Sequence, residues 1–173
     1  KDEENITNIL KSNGYYFANV KTNFKKNNNN TINLIYDIEL GKKAFIKKIK
    51  FIGDKKIKDR KLRSVIVSEE VKFWKFISKR KFLDANRVNL DLKLLENFYK
   101  NKGYYNVKIQ NASAKLLDEN EFELIFNISA GYKYYFKTLK LILPDDYDVN
   151  NFKEINNLFD KLEDEVYSYA KVE

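Results

Sequence analysis

Cysteine, histidine and methionine are absent from the 173-residue chain. Their absence excludes disulfides, thiolate chemistry, soft-metal ligation and the commonest general base. Proline occurs once and glycine five times, so turns that demand special backbone geometry are few and each is informative. Long apolar runs are missing too. None approaches the roughly 20 residues that span a bilayer as a helix. The opening "KDEENITNILKSNG" is charged and helical in pattern, without the apolar centre of a signal peptide, which leaves the compartment open. No nucleophile–base pair and no glycine-rich phosphate loop is present. Asp145, Asp146 and Asp148 supply oxygens that a metal ion would accept. Acidic residues beside a turn and ahead of a helix are more simply capping and dipole chemistry. We therefore expect no metal, no cofactor and no enzymatic activity.

What the chain does contain is core-forming material: 43% of residues are hydrophobic and 15% aromatic. The net charge of +8 admits a basic RNA-binding module as one reading. Against it, 33 Lys and Arg are interleaved with 25 Asp and Glu along the chain.

The glycines mark a repeat. Gly14 opens "GYYFANV" and Gly103 opens "GYYNVKI", 89 residues later (103 − 14). Gly41 opens "GKKAFIKKIKFI" and Gly131 opens "GYKYYFKTLKLIL", 90 residues later (131 − 41). This alignment pairs Phe45 with Tyr135, Ile46 with Phe136, Ile49 with Leu139 and Phe51 with Leu141. Period-two patterns follow. Ile32, Leu34, Tyr36, Ile38 and Leu40 share one strand face; Phe122, Leu124, Phe126, Ile128 and Ala130 share another. Each such strand lies across a polar turn from a preceding strand, "KKNNNN" in one copy and "LLDENE" in the other. Val88, Leu92, Leu95 and Tyr99 make one face of a helix with Asp84 as N-cap, and Ile6 and Leu10 repeat that face ahead of Gly14. Gly14 and Gly103 are expected to end these helices, with each Tyr-Tyr pair starting the next strand. Shorter helices are expected around Leu62, Val65 and Ile66 and around Phe152, Ile155 and Phe159.

The unit is strand, helix, helix, strand, strand: an α+β chain with one complete copy at 42–131, the end of another at 1–41 and the start of a third at 132–173. "VYSYAKVE" resembles "FLDANRVN", pairing Tyr167 with Leu83 and Ser168 with Asp84 as caps. The offset there is 84 residues (167 − 83), so the complete copy carries about six more residues, in "SEEVKFWKFISKRKF".

The helix ending in "FYKNKGYYNVKI", the opening "GYKYYFKTLKLIL" and the stretch "EVYSYAKVE" resemble the POTRA repeats of the BamA family of outer-membrane assembly factors. The insertion with its tryptophan looks like the third of five such repeats, flanked by parts of the second and fourth. Related arrays occur in two-partner secretion and chloroplast import proteins. The resemblance implies a three-stranded mixed sheet covered on one face by two helices. It also implies a periplasmic location and a scaffold without chemistry. The expected partners are unfolded outer-membrane β-barrel proteins and accessory assembly lipoproteins, with a membrane β-barrel on the same full-length chain and no nucleic acid. The strand after Gly103 would lie at the sheet edge and the strand at 121–130 at its centre.

An edge strand can take another chain as an added strand. The expected client-binding edge is Tyr105, Asn106, Val107, Lys108, Ile109, Gln110 and Asn111. Its apolar phase is odd at Tyr105, Val107 and Ile109, then even at Ala112, Ala114 and Leu116. One extra residue near Gln110 to Ala112 therefore marks a β-bulge. Phe73, Trp74, Phe76 and Ile77, set among lysines and Arg80, form the candidate docking patch for an accessory partner or a membrane surface. The alternative is that these rings cap their own core.

Overall fold

The structure, a computed structural model, describes residues 1–72, 74, 78–144 and 146–172. The candidate residues Phe73, Phe76, Ile77 and Asp145 lie outside the described residues. Helix α1 (Asp2–Ser12) leads into an antiparallel hairpin of β1 (Asn19–Lys26) and β2 (Ile32–Glu39). Next come β3 (Phe45–Asp54), the single-turn helix α2 (Asp59–Arg63) and the long helix α3 (Ala85–Lys100). They are followed by β4 (Lys108–Asp118) and β5 (Glu121–Ser129). Helix α4 (Lys153–Leu162) lies in the last segment.

The complete copy is a mixed sheet in the order β3-β5-β4, with β3 parallel and β4 antiparallel to the central β5. A parallel pair needs a crossover, and α2 and α3 supply it. Alternate residues of β5 (Phe122, Leu124, Phe126 and Ile128) are buried against Ile46, Ile49 and Phe51 of β3 and Leu62, Leu95 and Tyr99 of the helices. Phe51 and Phe126 stack at 5.5 Å between centroids. Asp84 caps α3 as expected, accepting from the Arg87 N–H at 3.1 Å.

Both helix-ending glycines close the same way. After α1, the Tyr15 N–H donates to the Leu10 carbonyl (3.0 Å) and the Gly14 N–H to Lys11 (2.9 Å). After α3, Tyr104 donates to Tyr99 (3.0 Å) and Gly103 to Lys100 (3.2 Å). These are Schellman closures, and they require the left-handed backbone seen at Gly14 (φ 97°) and Gly103 (φ 93°).

Four expectations are corrected. The Tyr-Tyr pairs do not start strands: each lies in a further turn, closed by Ala18 N–H to the Tyr15 carbonyl and Val107 N–H to that of Tyr104. α2 ends at Arg63, so Val65 and the buried Ile66 follow it in non-helical backbone. Residues 132–143 do not form a strand, apart from a single bridge between Tyr135 and Val166. Their counterpart β3 is held by β5, and among the described residues of 132–173 there is no such central strand to pair with. Ser168 is no side-chain cap; its hydroxyl donates to Asn101 Oδ1 at 3.4 Å.

Candidate docking edge

A three-stranded sheet has two outer edges, here β3 and β4. The β3 edge is closed by its own surroundings. The Val71 N–H donates to the Ile46 carbonyl (2.9 Å), and Leu83 donates to Ala44 (3.1 Å). At Ile49 side chains do the work of a neighbouring strand: the Glu70 carboxylate accepts its N–H at 2.8 Å, and the Arg63 guanidinium donates twice to its carbonyl, at 3.0 and 2.6 Å. Arg63 and Glu70 are themselves 3.3 Å apart. Such covering removes the template that an open edge offers to another chain.

The β4 edge is different. Among the described residues, no loop or side chain is bonded to the outer backbone of β4, and most of its residues are exposed. Its pairing with β5 skips Gln110, passing from Ile109 opposite Ile128 to Asn111 opposite Asn127. The bulge thus sits at the extra residue in the phase change, and the Gln110 side chain accepts from Asn127 Nδ2 at 2.7 Å. After the bulge Ala112 and Ala114 stand opposite the core residues Phe126 and Leu124.

Of the seven expected edge residues, four lie on β4: Lys108, Ile109, Gln110 and Asn111. Tyr105, Asn106 and Val107 precede it and have other duties. Val107 is buried in the core. Tyr105 packs edge-on against Tyr134 (6.1 Å) and Tyr167 (5.3 Å), and Asn106 donates to the Tyr134 hydroxyl at 2.7 Å. They belong to a joint with the following segment. The joint recurs. The Gly14 carbonyl accepts from the Ala44 N–H, and the Gly103 carbonyl accepts from Tyr134, both at 2.8 Å. A Cβ at Gly14 would meet the Phe82 ring at 2.7 Å; at Gly103 it would meet Val166 Cγ1 at 2.7 Å.

On the sheet face away from the core, Glu123 of the central strand is buried beneath its neighbours. The hydrogen bond from Lys50, at 2.8 Å, holds its carboxyl below the usual range against the opposing effect of burial; Lys48 and Lys115 add to the pull. Behind the sheet, Asp91 of α3 accepts from the backbone N–H groups of Val67 (2.6 Å) and Ser68 (3.3 Å). Burial pushes its carboxyl up. Neither Asp91 nor the Arg63–Glu70 pair stood out in the sequence, since each acts on backbone far along the chain. Trp74 is 60% exposed, with the Lys72 ammonium 5.8 Å from its ring centroid. Asp148 accepts from the Asn150 N–H at 2.9 Å, which is a capping geometry. Among the described residues no cluster of metal-ligating side chains occurs, and no helix is long and apolar enough to cross a membrane.

Both copies share these closures, and both match one family: the model described as "POTRA: Surface antigen variable number repeat" matches residues 1–41 and 44–131. The chain belongs to the POTRA family. Among curated proteins, this POTRA chain is 25% identical over 130 residues to "Outer membrane protein assembly factor BamA" of Neorickettsia risticii (strain Illinois), covering 72% of the chain and 17% of that protein. It is 27% identical over 112 residues to the protein of the same name from Buchnera aphidicola subsp. Acyrthosiphon pisum (strain APS), covering 64% and 18%. The chain thus spans under a fifth of these relatives. Among solved structures, Haemophilus influenzae BamA POTRA3-5 matches with TM-score 0.56 at 16% identity, over 99% of the chain and 64% of that structure. BamA of Haemophilus ducreyi lacking POTRA domains 1-3 gives 0.52 at 24% identity, over 73% and 21%. These likenesses share the fold described above.

Proposed function

We propose that this POTRA segment is a periplasmic scaffold of an outer-membrane β-barrel assembly machine and binds unfolded outer-membrane proteins by adding them as a strand to β4. The observation that carries the proposal is the contrast between edges: β3 is sealed by Val71, Glu70 and Arg63, while β4 keeps its outer backbone open. Main-chain pairing is indifferent to side-chain identity, which suits a carrier of many clients. Each added hydrogen bond nets about 1 kcal/mol, and ordering an extended client costs about as much per residue. Binding is therefore weak and releasable, as handover requires. The bulge at Gln110 twists the edge and limits pairing between two copies of the chain.

The scaffold works without catalysis and belongs to a longer array, with a membrane β-barrel on the same full-length protein. Residues 42–131 form one repeat of this array, with 1–41 and 132–173 as parts of its neighbours. The exposed Trp74 favours a second contact, an accessory lipoprotein docked at the insertion. The RNA-binding reading is weakened by the pairing of Lys47 with Glu121 and Lys50 with Glu123 on the sheet.

An NMR titration with an unfolded peptide from an outer-membrane β-strand tests the proposal. Amide shifts concentrated along 108–116 are expected. Shifts confined to the surroundings of Trp74, or none at all, would overturn it.

A further inference from the structure

The β4 edge borders a cavity of about 230 Å³. Ala112 and Ala114 of β4, Leu124 of β5, Leu83 ahead of α3, and Val88 and the polar Asn89 in its first turns line it, together with Tyr16 from the preceding matched segment. A dry cavity of roughly 150 Å³ holds a benzene-sized ring, so this one has room for a large aliphatic or aromatic side chain. Two local choices open it. The extra residue at Gln110 shifts the phase of β4, so that Ala112 and Ala114 rather than Asn111 and Ser113 stand over the core side. Both are small; in the other hairpin the place of Ala112 is held by Thr22, but that of Ala114 by a large ring. There, Phe24 stands opposite Leu34 just as Ala114 stands opposite Leu124, and Leu34 and Leu124 are equivalent at the 90-residue offset (124 − 34).

We infer that this cavity is a side-chain pocket for the strand added at β4, and that it is shared between two repeats. The inference rests on the strand-addition reading. Its occupant is an extended polypeptide whose alternate residues are large and apolar: the open β4 backbone fixes the extended form, and the alternation of side chains brings every second one to the helix side. Tyr16 contributes from the other repeat. Its ring lies 6.0 Å from that of Phe122 on β5 and edge-on to Phe17 at 5.5 Å. The residues after Gly14 thus wall a site whose floor and backbone ladder belong to 44–131. Client preference at β4 accordingly depends on the joint that holds the two repeats together.

The test uses the whole 173-residue chain and two tagged synthetic peptides, one alternating Leu with Ser and one alternating Ala with Ser. The Leu peptide is expected to bind roughly tenfold or more tighter, the value of burying one large apolar side chain. Ala114→Phe, which installs the residue the other hairpin carries at this position, should abolish that preference and leave the Ala peptide unaffected. Tyr16→Ala should reduce the preference several-fold. If the preference survives Ala114→Phe, the pocket is refuted; if it survives Tyr16→Ala, the shared site is refuted. Leu peptides methylated on alternate backbone amides separate this from strand addition itself. Loss of binding in one methylation phase only, with equal affinity for Leu and Ala peptides, overturns the pocket and keeps the strand. Full binding in both phases, or no binding of any peptide, overturns both.

Discussion

Adding one methyl group at Gly103 should detach the following segment from the complete repeat without dismantling the repeat's core. The Cβ of Gly103→Ala would lie 2.7 Å from Val166 Cγ1, 3.0 Å from Lys133 Cγ and 3.2 Å from the Tyr134 carbonyl oxygen. Two costs arise. The left-handed backbone costs about 1–2 kcal/mol once a side chain is present, and overpacking a close contact costs about 1–3 kcal/mol more. Gly131→Ala is the control, because its φ is 70° and nothing lies within 4 Å of the added Cβ. The first cost is common to both variants; only the second is specific to Gly103. The repeat can relieve that second cost by letting Val166 and Tyr134 move away, since its core at Tyr99, Leu95 and Phe126 does not depend on them. The assay is hydrogen exchange at the Tyr134 amide, which donates to the Gly103 carbonyl at 2.8 Å. Relative to Gly131→Ala, its protection should fall about 5- to 150-fold, the equivalent of about 1–3 kcal/mol. Melting of the core should differ little between the two variants. Equal Tyr134 protection in both would refute the joint as drawn.

Three further outcomes follow from the same contacts. Arg63→Ala leaves the Ile49 carbonyl without its double donor; the chain should lose about 1–3 kcal/mol and self-associate through β3, which denaturant melts and light scattering would detect. Leu116→Pro alters an exposed residue of the edge strand whose N–H the register turns away from β5, where proline is tolerated. It removes one outward donor, so peptide affinity should fall about fivefold, or about 1 kcal/mol, while the core spectrum is unchanged; undiminished affinity would count against strand addition. Asp91 has its carboxyl pushed up by burial. In the window above the ordinary aspartate value the folded state binds more protons than the unfolded, so this group's contribution to stability falls as pH rises through its folded pKa. Asp91→Asn should flatten that slope, and an unchanged pH profile of stability would contradict the assignment.

The features legible in the sequence are those set by local spacing. The helix-ending glycines, the hairpins, the Asp84 cap and the bulge each follow from residues within a few positions of one another. The alternating pattern of the edge strand continues backward through Tyr105 and Asn106 into the turn, and only the contact with Tyr134 and Tyr167 assigns these residues to the joint. The stretch 132–143 has a strand-like pattern but, among the described residues, no partner strand beyond the single Tyr135–Val166 bridge, which shows how far strand formation depends on a neighbour. The seal on β3 was invisible for another reason. Arg63 and Glu70 reach Ile49 from 14 and 21 residues away, and no periodicity links such positions.

Strand addition at β4 is the central claim, and hydrogen exchange along that strand tests it most directly. On saturating the chain with an unfolded outer-membrane β-strand peptide, the amides of Ile109, Ala112, Ala114 and Leu116 should gain protection, because every second N–H of an edge strand faces outward and the bulge at Gln110 shifts that alternation by one residue. The intervening amides, already bonded to β5, should change little. Protection gained on β3, or a uniform gain without alternation, would contradict the account.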